Sequence, residues 1–495
     1  PLQHLGITLN GTTYFTNTEG QFSTPITGPT EATFSLEGLY SSVNTGGVVP
    51  STTLLLADGD TDISLTQMAN EKEVSAYSSV NRIHDHMKVW LPDYTVLDAP
   101  MITNIDVAGE CNAFYDGNIN FFDAGGGCNA SSLIADVVWH EYGHAINGTY
   151  YQDNGLFFSN GAMNEGYADF WAMSLSDSPI VGEGFFADSG DGIRRYDIDP
   201  KIYPQDLVGE VHADGEIICG AWYDTHLLMG ANWNATMELF IETYNGFQAT
   251  GFNGNEGQIF FDVLLDALQA DDTNEDLSDG TPNDIAIVEG FAMHGIYLLS
   301  GAQIEHADVF TAPADELLTL QAEIDIDFPF NIYLQEAKLY YRFNNEIVWL
   351  QTPLDNPVDN VFEATIDAQP EGTVVSYFFG LIDIYDNITT VEPTGAFQDD
   401  PTLPYFTLIG MNKVLEHDSD ISEDLGEFET GVASDLATAG QWELNIPIGS
   451  YANLDDPETI MSPNMDHTPD DDGELCFITQ QAASPTGSMY DTDVD

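Results

Sequence analysis

The chain has 495 residues, of which 43% are hydrophobic and 12% aromatic, and it carries 82 Asp and Glu against 9 Lys and Arg, a formal net charge of −73. That length exceeds one ordinary hydrophobic core and predicts about two to four domains, while the aromatic content excludes a disordered acidic chain. The charge excludes nucleic acid and anionic membrane as partners, and no run of about 18 apolar residues is present to span a bilayer.

A surface this acidic stays hydrated and attracts divalent cations, and its self-repulsion is relieved by salt or bound calcium. It fits a saline or marine setting, with simple compositional drift as the alternative. The sequence starts at Pro1 with no signal peptide or initiator Met, the pattern of a mature fragment of a secreted or extracellular precursor. Cys111 and Cys128 flank a Gly-rich segment and are candidates for a local disulfide in an oxidising compartment; buried free thiols are the alternative.

In chain order, residues 1–70 read as a β-rich segment, with Gly11–Phe15 and Gly20–Ser23 as two strands around a Thr-Asn-Thr-Glu turn. A helix is predicted where Val74, Tyr77, Val80, Ile83, Met87 and Trp90 recur at helical spacing. Residues 131–148 form the strongest helix candidate, with Ser131 and Ser132 as N-caps and an apolar stripe of Ile134, Val137, Val138 and Ala145. Further helices are predicted over 164–176, 215–228, 259–270 and 284–294. Past residue 302 the pattern turns to alternating strands such as Lys338–Phe343 and Thr373–Phe379, a β-sandwich over 303–410. A second β module, read as incomplete, is predicted over 411–495, with a strand at Leu475–Thr479.

The chemistry concentrates in His140-Glu141-Tyr142-Gly143-His144. Residues i and i+4 of a helix share a face, so the two imidazoles can grip one metal ion. Glu141 sits beside that face, within reach of a metal-bound water. Catalytic zinc takes three protein ligands and keeps one position open, and a nearby carboxylate can then accept the water's proton. Glu165 follows 165 − 144 = 21 positions after the second His, enough chain for a turn and a second helix to return it to the metal. Asp169 lies one helical turn beyond Glu165, placed to accept the other ring N–H of a ligand histidine. A solvated acidic face is the alternative for both, but the flanking Met163, Phe170 and Trp171 predict a buried helix, where carboxylates need partners.

These motifs resemble the thermolysin and fungalysin group of metallopeptidases, the gluzincins. The likeness is firm over residues 111–224 and looser over 71–300. Asp136-Val137-Val138 leads into the zinc helix as in that group. Asn112-Ala113-Phe114-Tyr115 is similar to the strand that lines the substrate cleft. Gly190–Arg194 resembles the segment whose arginine binds a substrate carbonyl, with Arg195 as the alternative, and an ordinary ion pair as the bland reading. Gly209–Glu216 resembles the segment whose histidine, here His212, stabilises the oxyanion. The turn Asp279–Asn283 also resembles fungalysin-like enzymes.

The resemblance implies an α+β two-lobed thermolysin-like peptidase domain over 71–300 that hydrolyses internal peptide bonds of proteins or peptides. It implies Zn2+ on His140, His144 and Glu165, Glu141 as base and His212 at the oxyanion, with Ca2+ as a further cofactor for which Asp136, Asp177 and Glu183 are candidates. The acidic loop 271–284 is a second calcium candidate. Asp206 and Glu210 both stand as partners for His212. The oxyanion tyrosine of the group falls near Leu156-Phe157-Phe158, with Tyr150 and Tyr151 just before. The β modules are expected to bind a cell surface, a polymer or neighbouring subunits. The rival reading is a surface adhesion or self-assembling scaffold protein carrying an inactive peptidase domain.

Overall fold

The computed structural model describes residues 1–358, 360–393, 404–411, 442–447, 450–453, 456–462 and 475–479. They fall into two compact units, one of Pro1–Val309, Leu317–Asp367 and Val374–Phe406, the other of Phe310–Glu316, Ala368–Thr373 and Thr407–Asp495.

In the first unit, Asn10-Gly11 separates two short β-forming runs, and both residues take positive φ, as a two-residue hairpin turn requires. Gly6–Leu9 therefore pairs with Thr12–Phe15, and Thr30–Ser35 and Ser51–Leu56 extend the antiparallel sheet. This corrects the expected pairing of Gly11–Phe15 with Gly20–Ser23. The Asn17 side chain instead accepts from the amides of Glu19 and Gln21, which curls that stretch into a loop. The inner sheet face buries Leu5, Ile7, Leu9, Ala32 and Phe34 against Ala76 and Tyr77. Those two lie on α1 (Glu71–Trp90), which starts at a capping box between Asn70 and Glu73.

A second sheet runs Ser41–Thr45, Met101–Val107 and Ile119–Phe122 in parallel, with Ala113–Tyr115 antiparallel at its edge. Asn44, Asn104 and Asn120 stand in register and their amides bond in a chain. Asn120 also donates to the Phe114 carbonyl and to Asp116, which pins the edge hairpin. The Cys111–Cys128 disulfide forms beside that edge.

α2 spans Ala135–Asp153, and its N-cap is Ile134 with no side-chain cap. Ser131 and Ser132, expected as caps, lie in a preceding 3-10 turn. The Ser131 hydroxyl donates to the carbonyls of Asn112 and Phe122, so it ties the loop to the edge strand and the helix starts later. α3 (Gly161–Ser176) is capped by Asn160, whose side chain accepts from Met163 N and donates to the buried Glu256. α4 (Val211–Leu228), α6 (Glu256–Asp271) and α7 (Asp284–Ala292) lie where the periodicity put them. α5 (Trp233–Tyr244) was not predicted, although Trp233, Met237, Phe240, Ile241 and Tyr244 carry helical spacing. Its Phe240 packs on Phe170, Trp171 and Trp222 at the centre of the helical layer.

Two glycine contacts set how close these helices come. A Cβ at Gly143 would lie 2.8 Å from Cα of Ala168, and one at Gly166 would lie 2.6 Å from the Gly215 carbonyl oxygen. α2, α3 and α4 thus approach backbone to backbone.

Beyond the helices the first unit continues as two sheets. One holds Gln303–Glu305, Leu318–Asp325, Val361–Ile366 and Asp355–Val358, and Leu318–Asp325 alternates buried and exposed residues along its whole length. The other pairs Leu334–Phe343 with Leu350–Pro353 and Val374–Asp383, which also pairs Ile388–Glu392. Tyr385 OH donates to Asp284, and Thr390 to the Leu299 carbonyl, so these sheets are bonded to the helical layer. The chain is therefore mixed α/β with a β-rich C-terminal region.

In the second unit Thr311–Ala312 pairs in parallel with Leu408–Ile409, Trp442–Asn445 with Cys476–Thr479, and Ser450–Asn453 with Asp456–Ser462. Most of the expected 411–495 module lies outside the described residues. Among the described residues no helix is long and apolar enough to cross a membrane.

Two predictions follow from the packing. Gly166→Ala gains up to about 1 kcal/mol of helix propensity but forces α3 off α4, so we expect a net loss of about 1–3 kcal/mol in denaturant unfolding. Burial holds the His86 imidazole down to about 4, against about 6.5 unfolded. Below 6.5 the unfolded chain takes up a proton that the folded chain resists, so His86 costs stability as pH falls from about 6.5 to about 4, by up to about 3 kcal/mol, with no effect above 7. His86→Gln, which can still bond Ser174 on α3, should flatten that part of the stability–pH curve.

Candidate metal centre

His140 and His144 stand one turn apart on α2, on the face that meets α3, and Glu165 answers them from α3. His140 Nε2 lies 3.2 Å from Glu165 Oε2, and His144 Nε2 lies 3.6 Å from Glu165 Oε1. One ligand atom from each of the three falls within 4.8 Å of the others, and among the described residues this is the one group of His, Cys, Asp and Glu side chains with that spacing. The donor set suits a metal: two imidazoles and a carboxylate whose buried Oε2 has only the His140 ring nitrogen, itself a candidate ligand atom, against it. The grouping expected of these three from the sequence is present in the fold: helical periodicity puts the two histidines on one face, and the close approach of α2 to α3 brings Glu165 to them.

The electrostatics are strongly coupled. Burial raises the Glu165 carboxyl, but its bond to His140 and the charges of His144 and His140 outweigh it and bring it down to about 2. Burial lowers His140, yet Asp169 and Glu165 overcome it and leave that imidazole well above its ordinary value. His144 falls to about 4 through burial and the neighbouring His140 charge. Glu141, 5% exposed, is pushed up to about 7 by burial, with His140 opposing and Glu165 adding. Its Oε2 also lacks a partner. A buried carboxylate with an unused oxygen beside a ligand cluster is equipped to take a proton.

Asp169 accepts from His140 Nδ1 at 2.6 Å. It also receives Arg194 Nε at 2.5 Å and Nη2 at 2.7 Å, and Tyr196 OH at 2.5 Å. Although burial opposes it, the Arg194 and His140 charges hold Asp169 far below the ordinary carboxylate range. Arg194, expected at a substrate carbonyl, is turned inward to this ion pair, and Arg195 pairs with the exposed Asp197. Tyr196 escaped the sequence reading; the alternation Arg194-Arg195-Tyr196 was its only signal.

His212, at the start of α4, is 54% exposed at its side chain, with Nε2 3.5 Å from Glu165 Oε1. Its Nδ1 lies 2.6 Å from Glu210 Oε1. Glu210, not Asp206, is its partner; Asp206 accepts from the Ile202 amide. Ala113 sits on the edge strand, and the Asn112 carbonyl is taken by Ser131. Neither tyrosine near the expected oxyanion position joins the centre: Tyr150 OH donates to Asn245, and Tyr151 OH accepts from the Ala249 amide. Phe157 is exposed, and Phe158 packs on Tyr151.

The calcium candidates do not converge. Asp136 accepts from the Val137 and Gly182 amides, and Asp177 ends α3 in the left-handed region and accepts from Trp233 Nε1. Among the described residues they and Glu183 form no group of metal-ligand spacing, and backbone amides bond the half-buried Asp136 carboxylate. The 271–284 loop likewise closes on itself, with Asp271 accepting from Thr281 and Asn283.

After chelation and dialysis, the chain should rebind about one equivalent of a divalent metal, read by elemental analysis. His144→Ala or Glu165→Ala should weaken that binding by at least about tenfold, given what a ligand's outer partners alone are worth. No family model matches the chain, and no curated protein matches it.

Proposed function

We propose that the chain is a secreted zinc endopeptidase of the gluzincin kind, with a thermolysin-like arrangement of the metal helices. The observation that carries this reading is the convergence of His140, His144 and Glu165 with the partnerless Glu141 carboxylate oxygen beside them. Two imidazoles and one carboxylate are the protein ligand set of hydrolytic zinc rather than of a closed structural site. Bound zinc would polarise the scissile carbonyl and acidify the attacking water.

The chain's own residues supply the remainder. Glu141 takes the proton of the attacking water and hands it to the leaving amine. Asp169 accepts from His140 Nδ1, which leaves Nε2 free as the ligand atom. His212 places Nδ1 beside Glu210 and turns Nε2 toward the ligand cluster, where an N–H at that position can meet charge developing on the carbonyl oxygen. Ala113–Tyr115 is the outer strand of its sheet, an edge along which an extended peptide can lie. The β-rich C-terminal sheets are proposed to bind a surface, a polymer or neighbouring subunits.

The test is cleavage of a quenched peptide library by the native chain and by Glu141→Gln, with zinc and salt present. We expect Glu141→Gln to retain zinc and lose about 10²- to 10⁴-fold in rate. Equal cleavage by both would assign the base elsewhere. Silence from both, with zinc bound and the chain folded, would favour the scaffold reading.

A further inference from the structure

Tyr196 belongs to a short extended segment. Arg194 and Arg195 pair with Val181 and Ile180, and the Tyr196 amide donates to the Pro179 carbonyl. That stretch, Pro179–Val181, follows directly on the end of α3. Residues two apart on an extended chain share a face, so Arg194 and Tyr196 turn the same way, into the protein, while Arg195 turns out to Asp197. Both inward side chains end on Asp169, which is 1% exposed.

A carboxylate has about four acceptor positions, and Asp169 fills four: Oδ1 receives His140 and Arg194 Nη2, Oδ2 receives Arg194 Nε and Tyr196 OH. Arg194 supplies the compensating charge. Tyr196, 7% exposed, supplies the last donor without adding charge, from the side of the carboxylate away from His140. Without it Oδ2 would keep a single partner in a buried place, and the carboxylate could swing about its Arg194 bond.

We propose that Tyr196 is a positioning residue for the metal centre: its hydroxyl locks the Asp169 carboxylate in the orientation that holds His140 Nδ1 and so aims His140 Nε2 at the metal. The inference rests on the metallopeptidase reading of His140, His144 and Glu165, and assigns Tyr196 a contribution to metal affinity that ring packing alone would not make.

Tyr196→Phe keeps the ring and removes only the hydroxyl. The zinc dissociation constant, measured by chelator competition, should rise about tenfold, and the unfolding midpoint in excess chelator should fall as well, because a buried carboxylate is left one donor short. In an Asp169→Asn background the same substitution should change zinc affinity little, because the group it orients is gone. A Tyr196→Phe affinity within about twofold of native, or an equal loss in both backgrounds, would overturn the proposal. If the native chain itself fails to bind zinc, the metallopeptidase reading falls first, and that result is read before any variant is compared.

Discussion

Asp169 is the residue on which the rest of the centre depends. A carboxylate that is 1% exposed is costly to keep ionised unless charge and hydrogen bonds surround it. Here His140, Arg194 and Tyr196 do so from α2 and from the extended segment after α3. Asp169 therefore joins three stretches of chain through one side chain. Because it accepts at His140 Nδ1, the tautomer and ring orientation of a histidine in the candidate metal group are set from behind. Removal of any one partner would leave a buried charge short of donors, which makes this network a strong constraint on the local structure.

Two backbone approaches allow that network to close. Glycine at 143 lets α2 come down on Ala168, and glycine at 166 and 215 lets α3 and α4 meet. Side chains next to those contacts, His144 beside Gly143 and Glu165 beside Gly166, are then brought within a few ångströms of one another. The aromatic layer of Phe170, Trp171, Trp222 and Phe240 holds the helices from the other side. Close packing on one face and rigid rings on the other leave the ligand residues little freedom to drift.

The placement of charge fits a division of labour. Against 82 acidic residues the few cations sit at specific points: Lys72 between Asp106 and Asp123, Lys88 on Asp98, and Arg194 on Asp169. Of these, Arg194 is the cation set against a buried carboxylate at the centre. A chain nearly stripped of positive charge has kept one where desolvation makes it worth most.

The sequence by itself determined the local elements and the ligand trio. Helical spacing places His140 and His144 on one face whatever the fold, and the apolar neighbours of Glu165 and Asp169 mark their helix as buried. Periodicity likewise located α1, α4, α6 and α7 and the alternating strands past residue 302, and the Gly-rich stretch between Cys111 and Cys128 marked a local disulfide. What it left open was decided by competition between distant groups. Asn10-Gly11 took the hairpin that the Thr-Asn-Thr-Glu stretch had been expected to form. Ser131 went to the edge strand rather than to the helix end, and Glu210 rather than Asp206 to His212. Arg194 turned to Asp169, and Tyr196 joined it. Each of these side chains had more than one chemically sound partner within its reach along the chain. Only the tertiary structure brings the partners together in space, where burial makes an unfilled hydrogen bond expensive and so selects among them.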